Sequence, residues 1–159
     1  YDAAKEFNGR VIAPNTIRTI EGGILSYGSD FDRSHNPFTI GFDRLVDLDQ
    51  KNDFIGKDAL RKIKERGLTE KLVGIELEGD PIMKAPENFW NVKSNNLKVG
   101  RVSRAFFSPR LEKNIALAIV DIDNAEEGTS VVVETPNGDL NSTIVSLPWF
   151  KADKDTHLD

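Results

Sequence analysis

Cysteine is absent from this chain of 159 residues, and histidine occurs only twice, at His35 and His157. The first gap excludes disulfide staples, and the two together leave almost nothing from which a transition-metal centre or a histidine-based triad could be built. Both histidines read as solvated, His35 in a polar loop and His157 in the tail. No apolar stretch approaches membrane-spanning length and no signal-peptide pattern is found, so the expectation is a soluble, cytoplasmic protein with no membrane partner. An excess of positive charge is also lacking. The formal net charge of -5 gives no general attraction to phosphate backbones, which argues against a nucleic-acid partner. Gly56-Lys57 lacks the rest of a phosphate loop, with Lys51 where the earlier glycine is needed and Asp58 where Ser or Thr should follow the lysine.

What is present, 38% hydrophobic and 30% charged residues, suffices for one moderate core or for a small domain plus a partial one. The opening Tyr1 to Phe7 reads as the last turns of an amphipathic helix already under way, so a preceding segment is expected. Asn8-Gly9 reads as a turn and Val11-Ile12 as a short extended stretch. After Pro14-Asn15 a helix should start near Thr16 and bury a stripe of Ile17, Ile20 and Ile24, although Gly22-Gly23 weakens it. Tyr27 to Asn36 is polar and turn-rich, apolar residues return from Phe38 to Leu48, and a second helix is predicted from Lys57 to Arg66, stopped by Gly67.

Beyond Thr69 the apolar period changes from helical to two. Val73, Ile75 and Leu77 alternate with polar or small residues, and Ile115, Leu117 and Ile119 alternate with Ala116 and Ala118, both patterns of half-buried strands. Val131 to Thr135 and Asn141 to Ser146 flank Pro136-Asn137-Gly138-Asp139, a strong hairpin signal. Short strands without a long helix after residue 67 predict an antiparallel barrel of about 75 to 85 residues. The expected class is α+β, with residues 1–69 forming a first, α/β portion, 70–150 the barrel and 151–159 a frayed tail.

Among chemistry-bearing side chains, Asp121, Asp123, Glu126 and Glu127 read as solvated charges beside a turn, and Ser108-Pro109-Arg110 as a turn before a strand. Phe106-Phe107 and Trp149-Phe150 read as core or barrel-closing plugs. Lys98, Arg101, Arg104, Arg110 and Lys113 read as a solvated basic face. Composition and spacing stop short of a chemistry.

Several ordered stretches carry a resemblance further. They are Arg18-Thr19-Ile20-Glu21-Gly22-Gly23-Ile24-Leu25-Ser26-Tyr27-Gly28-Ser29-Asp30, then Asn36-Pro37-Phe38, Asp53-Phe54-Ile55-Gly56-Lys57-Asp58-Ala59-Leu60 and Lys71-Leu72-Val73-Gly74-Ile75-Glu76-Leu77. Val99-Gly100-Arg101-Val102, Ser108-Pro109-Arg110-Leu111-Glu112-Lys113-Asn114-Ile115-Ala116-Leu117-Ala118 and the run from Gly128-Thr129 to Pro148-Trp149-Phe150 follow. Together they resemble the glycine cleavage T-protein family and its relatives that demethylate dimethylsulfoniopropionate, and the Arg18 to Asp30 stretch with Phe89-Trp90 looks more like the demethylase branch.

The resemblance implies the C-terminal part of a tetrahydrofolate-dependent aminomethyl or methyl transferase, with the end of a folate-binding α/β domain followed by a C-terminal barrel. It places Arg18, Glu21 and Tyr27 beside folate, with Arg18 contacting the cofactor and Glu21 holding the local backbone or the arginine. The nearby glycines would let backbone pass close to a flat ring. The family chemistry moves a one-carbon unit from a small amine or sulfonium to N5 of tetrahydrofolate, and its aspartate belongs to an N-terminal portion unmatched here. A missing N-terminal segment or a partner chain is therefore expected to complete the machine. Two departures stand out. Arg18 precedes Glu21 by three residues where the T-protein usually has two, and Val102-Ser103-Arg104-Ala105 lacks the common Thr-Ser. Alternatives with the same resemblance are the folate domain of a dimethylglycine or sarcosine dehydrogenase and a non-catalytic folate-binding or interaction domain.

Overall fold

A computed structural model describes residues 2–9 and 15–150, so the readings placed on Tyr1, Val11-Ile12, Pro14, the tail and His157 lie outside the described residues. Helix α1, Asp2–Lys5, is a single turn with no buried residue, and the Asn8-Gly9 turn closes it through an amide donated by Gly9 to Ala4 at 2.7 Å.

Helix α2 spans Thr16–Glu21 and begins where the cap residue predicts, the Asn15 side chain accepting the Arg18 amide. It stops earlier than the isoleucine spacing implies. Gly22 ends the helix and Gly23 takes φ +61°, so the helical period no longer applies across the glycine pair. Ile20 is fully buried and Ile17 half-buried, but Ile24 is 59% exposed, which corrects the expected three-residue stripe.

The polar excursion then folds back on itself. Asn36 accepts amides from Phe38 and Thr39 at 3.0 and 3.1 Å, turning the chain so that Phe38, Thr39 and Ile40 are buried. Helix α3, Lys57–Arg66, has the predicted bounds, with Gly67 at φ +82° just past its end. Lys57 is a loop clamp: buried at the start of α3, its amine donates to the carbonyls of Gln50 at 2.7 Å and Asn52 at 3.2 Å.

Six strands follow, β1 Glu70–Leu77, β2 Trp90–Ser94, β3 Leu97–Ser108, β4 Lys113–Asp121, β5 Ser130–Thr135 and β6 Gly138–Val145. They close into an antiparallel barrel in the order β1-β4-β3-β2-β5-β6, with β6 returning to β1. The class is therefore α+β, as read from the periodicity. The β5–β6 hairpin is also as predicted, except that β6 starts at Gly138, paired with Thr135, so the loop is Pro136-Asn137 rather than a four-residue turn.

Val73, Ile75, Leu77, Val92, Val102, Ala116, Ala118, Val120, Val131, Val133 and Ile144 belong to the main core cluster that fills the barrel. One strand corrects the half-buried expectation. Asn114 to Val120 of β4 are all buried, because the alanine side faces the barrel interior while Ile115 and Leu117 meet Ile20 of α2 on the outside. Phe106, Leu111, Leu147 and Trp149 complete this outer cluster, so Phe106 and Trp149 seal the wall between helix and barrel rather than plugging the barrel. Burying an isoleucine or leucine in this way contributes about 1.5–3 kcal/mol.

Trp149 lies close enough to β1 to need glycine beneath it. A Cβ built on Gly74 would stand 2.9 Å from both the Trp149 ring and a Val145 methyl. Gly74→Ala is expected to lower stability by about 1–3 kcal/mol through overpacking, read as a drop in urea midpoint. In a Trp149→Ala background the same substitution should cost clearly less, and an undiminished cost would place the clash elsewhere.

Candidate functional site

The stretch from α2 through Asp30 is pinned to the barrel from two sides, and its three predicted site residues are treated differently. Glu21, the last residue of α2, turns inward. It is 6% exposed, its carboxylate accepts the Ser108 hydroxyl at 2.6 Å, and its carbonyl accepts the Trp149 amide at 3.0 Å. Ser108 is the buried last residue of β3, and its oxygen also accepts the Leu111 amide at 3.1 Å, which orders the turn into β4. Glu21 thus holds the barrel, rather than the local backbone or Arg18.

Arg18 and Tyr27 stay outside. Arg18 is exposed on α2, and its side chain makes no hydrogen bond or ion pair among the described residues. Tyr27 is 64% exposed and rests edge-on against Phe31 at a centroid distance of 5.6 Å, with Phe31 packed in turn against Phe42 at 6.3 Å. An accessible guanidinium and an accessible phenol on one segment can still meet a polar ligand, whereas Glu21 is committed to Ser108.

The segment's second pin is ionic. Asp30, whose side chain is 0% exposed, accepts Arg104 Nε at 2.9 Å and Nη2 at 2.6 Å, the Ser103 hydroxyl at 2.6 Å and the Ser26 amide at 2.7 Å. Arg104 also donates to Thr19 Oγ1 at 2.8 Å and to the Ile24 carbonyl at 2.7 Å. The solvated basic face is therefore corrected at Arg104. Elsewhere in that group Arg101 covers the Phe89 ring at 4.5 Å, Arg110 covers Phe150 at 3.5 Å, and Lys113 pairs with Glu76. Asp121, Asp123, Glu126 and Glu127 are exposed, as read.

His35 is not the solvated histidine expected. Its ring is 5% exposed, with Nδ1 facing the Asp32 carboxylate at 3.0 Å and Nε2 facing Arg101 at 3.4 Å. The Ser34 hydroxyl and amide hold the Asp32 carboxyl below the usual carboxylate range, and His35 adds to the effect. Among the described residues no group of three or more His, Cys, Asp and Glu could hold a metal ion, and no helix is long and apolar enough to cross a membrane.

Two larger hollows flank the segment and the barrel. One of about 710 Å³ opens beside Gly22 and Gly23 and is walled by Phe42, Arg44, Lys71 and Pro148. A Cβ on Gly23 would stand 3.6 Å from Pro148, so the bare backbone here faces the chain that follows β6. The other, of about 820 Å³, lies at the far rim under Met83, Phe89 and Trp90. Arg18, Glu21 and Tyr27 line neither.

The residues missed by sequence reasoning are the receiving ones: Asp30, Ser103, Arg104 and Ser108. Their only advance signal was the departure from Thr-Ser at Ser103-Arg104, because a partner more than seventy residues away leaves no local periodicity. Removing the hydroxyl in Ser108→Ala leaves a buried carboxyl of Glu21 without its donor and should cost about 1–3 kcal/mol. Chemical denaturation checks this, and Glu21→Gln/Ser108→Ala should recover part of the loss.

The profile of the glycine cleavage T-protein C-terminal barrel domain matches residues 70–151. Aminomethyltransferases of Thermoanaerobacter sp. (strain X514) and Caldanaerobacter subterraneus are 38% and 40% identical over 139 residues, which is 87% of this chain and 36% of theirs. The chain thus spans about a third of the length of these curated relatives. The crystal structure of glycine cleavage system aminomethyltransferase T from Bartonella henselae shares the fold, with a TM-score of 0.72 at 22% identity over 82% of this chain and 36% of that one. With the barrel match covering more than half of its residues, the chain belongs to the glycine cleavage T-protein family.

Proposed function

We propose that this chain is the C-terminal portion of a tetrahydrofolate-dependent one-carbon transferase, in which the barrel carries the α2-to-Asp30 segment as one wall of a folate pocket. The observation that supports it most is that segment's geometry. It is anchored to the barrel at Glu21 and Asp30 while Arg18 and Tyr27 between and beside the anchors stay exposed. An anchored backbone presenting a cation and an aromatic ring is suited to a ligand with an acidic tail and a flat polar ring. The relatives bear the name aminomethyltransferase, which fits transfer to folate.

Within this reading Arg18 contacts the cofactor and Tyr27 borders it, while Glu21 supports the pocket through Ser108 rather than touching ligand. The carboxylate implied for the transfer step has no match in these 159 residues, so this chain contributes binding and shape, and a folate-domain segment or partner chain contributes the acid-base group. For the donor, the resemblance of the Arg18 to Asp30 stretch and of Phe89-Trp90 to the demethylase branch points to a sulfonium such as dimethylsulfoniopropionate rather than the amine of glycine cleavage. The cytoplasm, where folate and small donors are both available, is the proposed location. The domain division at Thr69-Glu70 is proposed on the start of β1 at Glu70.

Titration of the chain with tetrahydrofolate, followed by amide NMR, is expected to show weak binding with shifts confined to residues 18–31 and the barrel beneath them. Arg18→Ala should weaken it by about tenfold or more, as loss of a charge-assisted hydrogen bond implies. Shifts centred instead on the hollow under Met83 and Trp90, or an unchanged affinity in Arg18→Ala, would move the site away from this segment.

A further inference from the structure

The barrel strand β3 departs from simple alternation beside Val99 and again at Ser103, and the second departure explains how two successive side chains reach the same carboxylate. Its buried positions recur every third residue, Val99, Val102, Ala105 and Ser108, and its register against β4 shifts between Val102 and Arg104. In a regular strand Ser103 and Arg104 would point to opposite faces. The bulge sends both outward, and both bond Asp30 Oδ1, Ser103 at 2.6 Å and Arg104 at 2.9 Å.

Arg104 then ties together three separated points. Its guanidinium forks onto Asp30, donates to Thr19 on α2, and donates to the Ile24 carbonyl beyond the glycine pair. Asp30 in turn fixes the Ser26 amide at 2.7 Å. Every residue from Thr19 to Asp30 lies inside this clasp, and Arg18 adjoins it. The planar fork matters, since a point charge could satisfy Asp30 but could not hold three acceptors in fixed directions.

We propose that Arg104 is a positioning residue of the folate pocket: by clasping Thr19, Ile24 and Asp30 it sets the orientation in which Arg18 and Tyr27 meet the ligand. The inference rests on the folate reading above, and it adds a barrel residue that touches no ligand and acts through Arg18 and Tyr27.

Two measurements test it on the 159-residue chain. Hydrogen exchange comes first. In Arg104→Ser the amides of Ser26, Gly28 and Asp30 should exchange at least about tenfold faster while those of β1 and β4 keep their protection, since the opening is local. Arg104→Lys should recover only part. If Arg104→Ser does not stay folded, Asp30→Asn/Arg104→Ser, which removes both buried charges, serves in its place. Unchanged protection of Ser26 and Asp30 overturns the clasp.

The second measurement is a double-mutant cycle with tetrahydrofolate as the probe. If Arg104 acts through Arg18, Arg104→Ser weakens binding by about fivefold or more in the wild-type chain and by little in the Arg18→Ala background. An equal loss in the wild-type, Arg18→Ala and Tyr27→Ala backgrounds overturns the positioning role, because Arg104 would then act on its own. A wild-type chain with no measurable affinity for the probe sinks the folate reading and the ligand-positioning role with it, while exchange still decides whether the clasp orders the segment.

Discussion

Strand β1 hydrogen-bonds along both edges, to β4 over its whole length and to β6 from Gly74 to Leu77, and this double pairing is the constraint on which the rest of the molecule depends. It removes the sheet's free edges and forces side chains to choose between a filled interior and an outer wall. Space inside such a small barrel is tight, which is why β4 contributes Ala116 and Ala118 inward and its larger Ile115 and Leu117 outward. An outer wall that apolar needs a cover. The short helix α2 supplies it with Ile20, and Trp149, arriving from beyond β6, supplies the other half over Gly74.

The polar anchors follow from that apolar contact. Once Ile20 is seated, Glu21 faces the end of β3, where Ser108 is its hydrogen-bond donor. Asp30 and Arg104 face each other one loop further along. A buried ion pair adds little to stability compared with an apolar pair of similar shape, yet it tolerates few alternative geometries. The division of labour is accordingly plain: apolar surface brings the segment to the barrel, and the charged contacts settle its register.

Much of this was legible in the sequence because it is periodic or punctuated. Asn15 and Thr16 announced α2, Gly67 closed α3, and the run Val73, Ile75, Leu77 announced β1. What was not legible depended on the other side of a contact. Nothing local distinguishes β4 as buried on both faces, since one-sided alternation of isoleucine with alanine fits a half-buried strand as well. His35 looked solvated because its neighbours in sequence are polar, while Arg101, which closes over it, lies on β3. Likewise Arg104 looked like one cation among five until Asp30 was placed opposite it. The family resemblance reached further than the periodicity did, giving the T-protein relationship and setting Arg18 toward ligand and Glu21 toward protein, but it did not name Ser108 of the barrel as the partner of Glu21.

The bulge in β3 has a meaning beyond this one chain. Because it places two adjacent side chains on the outer wall without disturbing Val102 or Ala105 inside, the residues at 103 and 104 can change chemistry while the barrel's filling stays the same. The barrel is then a chassis with one exchangeable fitting. A change at either position can hold the preceding loop in a different pose on the same fold, so that a shift in what such a protein recognises can begin on a strand that never touches what is recognised.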